Sequence, residues 1–166
     1  SENPTINLVK LHGSLSWRPR CDGITFDALP VQQLTDDEKK DKSKISAYLQ
    51  KHFVIFPNFR KFHSTLMERT YYDLLRMFSK AMDRENVILI SFGFSFADEH
   101  IFDITRRALR NPTVHLVVFS HDHASQAVYQ SKFSKQRNVT VIGPKAGSFI
   151  DFKRFNEILH SVLPGA

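Results

Sequence analysis

Apolar residues along this chain fall into short aliphatic runs separated by longer stretches of helical spacing. The clearest case is Asn86 to Ala108, NVILISFGFSFADEHIFDITRRA. Val87 to Ile90 are continuously aliphatic, which predicts a strand buried on both faces. After Ser91 to Phe96, Ile101, Ile104 and Ala108 share one face of a helix spanning about Asp98 to Leu109. Gly93 allows a sharp turn or close backbone approach, and Ser95 with Asp98 three residues on reads as a capping-box-like helix start. The same alternation continues on either side. Strands are predicted at Ile6 to Leu11, at Phe53 to Phe56 before Pro57, at Val114 to Phe119 and at Val139 to Ile142. Met67, Tyr71, Leu74, Leu75, Phe78 and Met82 form a core-facing helical stripe, a second helix runs through Ala127 and Phe133, and Phe152, Phe155, Ile158, Leu159 and Val162 mark a C-terminal one. Strand alternating with helix at this spacing predicts an α/β fold, a Rossmann-like parallel sheet with helices on both faces. Arg18 to Gln50 departs from the pattern. It reads as an irregular, charged insertion within one domain, with a short strand at Ile24 to Phe26 and a solvated run at Asp36 to Lys44.

Composition narrows the class. The 166 residues, 42% hydrophobic and 24% charged, suit one domain with a single core, made aromatic by fifteen phenylalanines. One cysteine, Cys21, excludes an internal disulfide framework and a cysteine-rich zinc site, and fits a reduced, cytoplasmic thiol. No apolar run approaches a membrane span and the first residues lack a signal-peptide pattern. The net charge of +6 suits an anionic ligand. Lysine and arginine are dispersed and no nucleic-acid motif is recognisable, so nucleic acid is not expected as a direct ligand.

Two places carry candidate chemistry. The first is the strand end Ser91-Phe92-Gly93-Phe94-Ser95, where a helix N-terminus would leave N–H groups and a hydroxyl at the carboxyl edge of the sheet, the place where open α/β sheets hold nucleotides. The second is His12-Gly13-Ser14, where an imidazole at a strand end could serve acid–base chemistry. A histidine so placed is more often a structural hydrogen-bonding group, and Gly13 and Ser14 also suit a plain turn. His121-Asp122-His123 suggests a metal, but Ser120-His121-Asp122 reads better as a helix cap, and no metal is expected.

Together, Lys10-Leu11-His12-Gly13-Ser14-Leu15-Ser16-Trp17 and Ser91-Phe92-Gly93-Phe94-Ser95-Phe96-Ala97-Asp98-Glu99-His100-Ile101 resemble the sirtuin-like family. More narrowly, they resemble the bacterial sirtuin-like NAD+-consuming domains of anti-phage defence systems. The resemblance implies NAD+ as substrate, cleaved to nicotinamide and ADP-ribose, with His12 as the catalytic histidine. It places Gly13, Ser14, Gly93, Phe94 and Ser95 around the nucleotide and Ser120 and Gly143 toward the adenine, with Phe94 and Phe96 also packing the strand–helix junction. It further implies a bacterial cytoplasmic protein, a homo-oligomer, and a partner such as a HerA-like ATPase.

The family's glycine-rich first strand–loop–helix lies upstream of its His-Gly motif, and here only a few residues precede that motif. The chain therefore reads as the C-terminal part of a sirtuin-like domain, residues 1–166, lacking the first βαβ unit. Exposed apolar strand edges and little NAD+ turnover by this chain alone are expected. Two alternatives to a glycohydrolase stand beside it. One is a sirtuin-type protein deacylase, disfavoured because residues 18–50 hold one cysteine where sirtuins carry a four-cysteine zinc module. The other is a non-catalytic nucleotide-binding or assembly module.

Overall fold

A computed structural model of the chain describes residues 8–20, 23–27, 33–54 and 65–162. The chain divides into two compact units, Ser1–Met77 and Phe78–Ala166.

The first unit begins with a turn at Leu11 and His12, closed by a bond from the Gly13 N–H to the Lys10 carbonyl at 3.0 Å. Then come β1 (Gly13–Ser14), β2 (Trp17–Arg20) and β3 (Gly23–Phe26). β2 and β3 form an antiparallel hairpin with Trp17 opposite Phe26 and Arg20 opposite Gly23. A 3₁₀ turn at Glu38–Lys40 leads into α1 (Lys42–Gln50), whose N-cap Asp41 accepts the Ser43 and Lys44 N–H groups at 2.9 and 3.3 Å. β4 (Phe53–Val54) returns antiparallel to β1, with Ser14 opposite Phe53. Arg18 ties these pieces together, donating from Nε to Asp27 at 3.0 Å and from Nη1 to the Lys51 carbonyl at 3.1 Å. α2 (Thr65–Met82) follows, and Tyr71 and Leu75 of its apolar stripe are buried.

Two expectations change here, and a third extends past the described residues. Ile6 lies outside the described residues, and Leu8 to Leu11 form no strand; the chain pairs only from Gly13. The predicted strand from Phe53 is present over Phe53–Val54, paired with β1, and Ile55 to Pro57 lie outside the described residues. The 18–50 segment is not irregular throughout, since it holds the hairpin and α1.

The second unit carries the alternating pattern. β5 (Ile88–Phe92), α3 (Glu99–Ala108), β6 (His115–Phe119), α4 (His123–Lys132), β7 (Val139–Ile142) and α5 (Phe152–Val162) succeed one another. The strands form one parallel sheet in the order β5-β6-β7, with Leu89 beside Leu116 and Val118 beside Val141. Side chains alternate across it. Leu116 and Val118 face a core that includes Met82, Phe96, Ala108, Leu109 and Phe133. On the opposite face Phe119 meets Phe155 of α5 edge-to-face at 4.9 Å, and Phe92 stacks on Phe155 at 4.6 Å. Helices therefore flank both faces, a Rossmann-like α/β arrangement.

β5 corrects one expectation. Among the described residues it is an edge strand of this sheet, and α5 reaches it at Phe92. Ile88 and Ile90 stay 69% and 45% exposed, so β5 is not buried on both faces.

Candidate functional site

The candidate residues fall in both units: His12, Gly13 and Ser14 in the first; Gly93, Phe94, Ser95, Ser120 and Gly143 in the second.

His12 occupies the turn ahead of β1, and Gly13 holds φ +79, a left-handed conformation that favours glycine. The imidazole, half-buried, stacks on Tyr71 of α2 with ring centroids 5.9 Å apart and planes inclined by 28°. Tyr71 is itself 3% exposed, so the histidine rests on a fixed surface. Ser14 Oγ accepts from Lys10 Nζ at 3.0 Å and from the Ser16 N–H at 3.3 Å, and pairs with Ser16 Oγ at 2.9 Å. This brings the lysine ammonium to the His12 turn. The arrangement seats the imidazole on Tyr71 and holds the Lys10 ammonium on Ser14 of the same turn. Helical spacing marks Tyr71 only as a core position, and the Lys10–Ser14 bond depends on the turn.

His52 is a second imidazole of this unit, set just before β4. It is buried, with Nδ1 donating to the Tyr48 carbonyl at 2.6 Å and Nε2 without a partner among the described residues. Its position beside β1 comes from non-local pairing, which leaves no trace in local sequence.

In the second unit the carboxyl ends of β5, β6 and β7 bring Gly93, Ser120 and Gly143 to one edge. Gly93 takes φ +66. Beyond it, α4 fixes the loop by its carbonyls: the Tyr129 hydroxyl donates to Phe94 O at 3.3 Å and Lys132 Nζ to Phe96 O at 2.7 Å. The N–H groups of Phe94 and Ser95 have no acceptor among the described residues, which suits an anionic ligand. Burial of the Tyr129 phenol raises its pKa, and the Asp122 carboxylate adds to that.

Ser95 does not cap α3. The N-cap is Asp98, which accepts the Ile101 N–H at 3.1 Å, while Ser95 Oγ accepts the Ala97 N–H at 3.3 Å. Phe96 stands between them at φ +53, outside helical geometry, so the helix starts later. The Phe94 ring meets Phe96 edge-to-face at 4.9 Å and packs against the core, as the strand–helix junction reading anticipates.

Ser120 is 0% exposed, and its hydroxyl donates to the Ile142 carbonyl at 3.0 Å. It thereby clasps β6 to β7 at the carboxyl edge of the sheet. Gly143 lies under Gln126 of α4, whose carboxamide occupies the space a Cβ would take. Gln126 also meets His123 Nδ1 at 3.2 Å. The first turn of α4 thus brings a polar side chain to the edge, which sequence reading missed because nothing local marks it.

Asp122 caps α4 through a reciprocal box. Its Oδ1 accepts the Ser125 N–H at 2.7 Å and hydroxyl at 2.6 Å, and Ser125 Oγ accepts the Asp122 N–H at 3.2 Å. The Ser125 hydroxyl bond, then the backbone bond, hold this carboxyl below its ordinary range. The helix-cap reading of Ser120-His121-Asp122 is therefore correct in its aspartate.

Residues 1–142 match the family model described as SIR2-like domain. No curated protein matches the chain.

Proposed function

Since the chain belongs to the SIR2-like family, whose members use NAD+, we propose that it serves as an NAD+ glycohydrolase in a bacterial anti-phage defence system. The match spans both the His12 turn and the β5 edge, and the observation carrying the reading is the His12 imidazole seated on Tyr71. In the proposed reaction the bond from ribose C1′ to the pyridinium nitrogen breaks, and its electron pair leaves with neutral nicotinamide. Water adds to C1′ of the oxocarbenium-like centre. His12 takes the water's proton, directly or through the ribose hydroxyls, leaving ADP-ribose. A base with a pKa near neutrality suits this step, and histidine needs little tuning to supply one. Gly13, Ser14, Gly93 and Ser95 would line the nucleotide, with Gly143 toward the adenine.

Sirtuin-type deacylation uses the same ribosyl centre with an acetyl-lysine oxygen as nucleophile. The single cysteine of the chain weighs against it. The exposed Ile88 and Ile90 support a further part of the proposal, that the protein works in an assembly, either a homo-oligomer or a complex with a defence partner such as a HerA-like ATPase.

Nicotinamide release from NAD+ tests the reading. It is measured with this chain and with a form extended by any coding sequence preceding Ser1, each with and without an acetyl-lysine peptide. Peptide-independent release is expected. Release only with peptide would assign a deacylase, and no release from either form would leave an assembly module. In the active form, His12→Ala should lower the rate by roughly 10²–10⁴-fold without changing the circular dichroism spectrum. An undiminished rate would remove His12 from the chemistry.

A further inference from the structure

At the other end of the parallel sheet, where β6 and β7 begin, a groove of about 650 Å³ opens between the end of α3 and the α4–β7 connection. Its floor includes Leu109 and Pro112. Arg106 and Arg110 stand on one side, and Lys135, Gln136 and Arg137 on the other. No carboxylate lines it. Arg106 pairs with Asp103 at 3.0 Å, whereas Arg110, Lys135 and Arg137 form no ion pair among the described residues.

Basic residues often gather at helix C-termini to complement the dipole, and both α3 and α4 end here. The magnitudes show that this accounts for only part of the charge. Each helix end carries about half a negative charge, so two ends amount to roughly one. Four cations against that charge and one paired carboxylate leave roughly two positive charges uncompensated.

The walls are held in place before any ligand arrives. Asn138 Nδ2 donates to the carbonyls of Leu109, Asn111 and Val114 at 3.1, 3.2 and 2.6 Å, fixing the end of α3, the turn after it and the start of β6 to one amide. Beside it Gln136 Oε1 is buried with no hydrogen-bond partner among the described residues. A volume in the range of small-molecule sites and guanidinium groups suited to paired phosphate oxygens describe one kind of guest.

We propose that this groove binds a phosphorylated ligand, carried either by a free nucleotide-sized molecule or by a nucleic-acid strand. It lies at the sheet's amino ends, away from the carboxyl edge of β5–β7, and does not depend on the proposed NAD+ chemistry.

Two probes separate the sources: inorganic tripolyphosphate, followed calorimetrically, and fluorescein-labelled oligodeoxythymidine, followed by anisotropy. Each is titrated into the wild-type chain, into Arg110→Glu/Arg137→Glu, and into Lys39→Glu/Lys40→Glu, which changes the net charge equally at an exposed site in the other unit. Arg110→Gln/Arg137→Gln serves as the gentler variant, and thermal melts verify folding. The expected result is binding to wild type that weakens at least tenfold in both groove variants and stays within twofold in the control. If the guest is a strand, the groove reversal should also lower the steepness of the logarithmic salt dependence by about 1.4, because two phosphates are no longer neutralised. Tripolyphosphate binding alone assigns the free ligand; binding of the oligonucleotide, displaced by tripolyphosphate, assigns the strand. No binding of either probe, or equal loss in the lysine control, overturns the proposal.

Discussion

Gly93 sits at φ +66 with nothing within 4 Å of the place a Cβ would occupy. Alanine there meets no neighbour, so its cost is the left-handed backbone alone. Gly93→Ala is expected to lower unfolding free energy by about 1–2 kcal/mol, measured by urea denaturation. No change would mean that the loop relaxes out of the left-handed region. Three residues later Phe96 accepts φ +53 without being glycine, and its buried ring and the Lys132 bond to its carbonyl hold it there. A glycine in a turn can be read from sequence, because few residues tolerate that geometry. Phe96 cannot, because its conformation is imposed by distant groups. The same distinction applies to hydroxyls. Ser95 and Ser120 both look like surface donors at strand ends, yet one bonds its own loop and the other is buried against Ile142.

At the scale of elements, α4 organises the carboxyl edge of the sheet. Its cap fixes where it begins, Tyr129 and Lys132 grip the loop after β5, and Gln126 covers Gly143. The Asp122 box depends on an ionised carboxylate with a lowered pKa. A depressed folded-state value means that the stabilisation is complete above the ordinary carboxylate pKa of 3.8 and is lost as pH falls through the lower folded value. Asp122→Asn keeps an acceptor for the helix but removes the titration. It should flatten the acid limb of a melting-temperature profile below about pH 4, while Asp122→Ala should lower the melting temperature by a few degrees at neutral pH. Equal acid limbs in wild type and Asp122→Asn would assign that limb to other groups. The strands and helices of this unit were legible from periodicity, because each buries one apolar face or stripe. The bounds of α3 near Asp98 and Leu109 were legible in the same way, but its cap was not, because Ser95 and Asp98 are both good caps and only the Phe96 backbone decides between them.

At the scale of the molecule, β5 pairs with β6 on one side only among the described residues, and Ile88 and Ile90 stay exposed. An apolar edge of this kind invites association. Ile90→Lys should reduce concentration-dependent light scattering while moving the melting temperature little, since its side chain is already 45% in water. Unchanged scattering would place any self-association elsewhere. Among the described residues no helix is long and apolar enough to cross a membrane. What the sequence alone determined is the succession of parallel strands and helices from Val87 onward, together with the His-Gly and Gly-Phe-Ser turns, because these follow from side-chain period and from glycine's backbone freedom. Tertiary structure alone decided that β5 would be an edge, that Ser120 would be buried, that Tyr71 would lie under His12, and that four cations would share one groove. Each of these depends on which distant segments become neighbours, and the local order of residues carries no record of that.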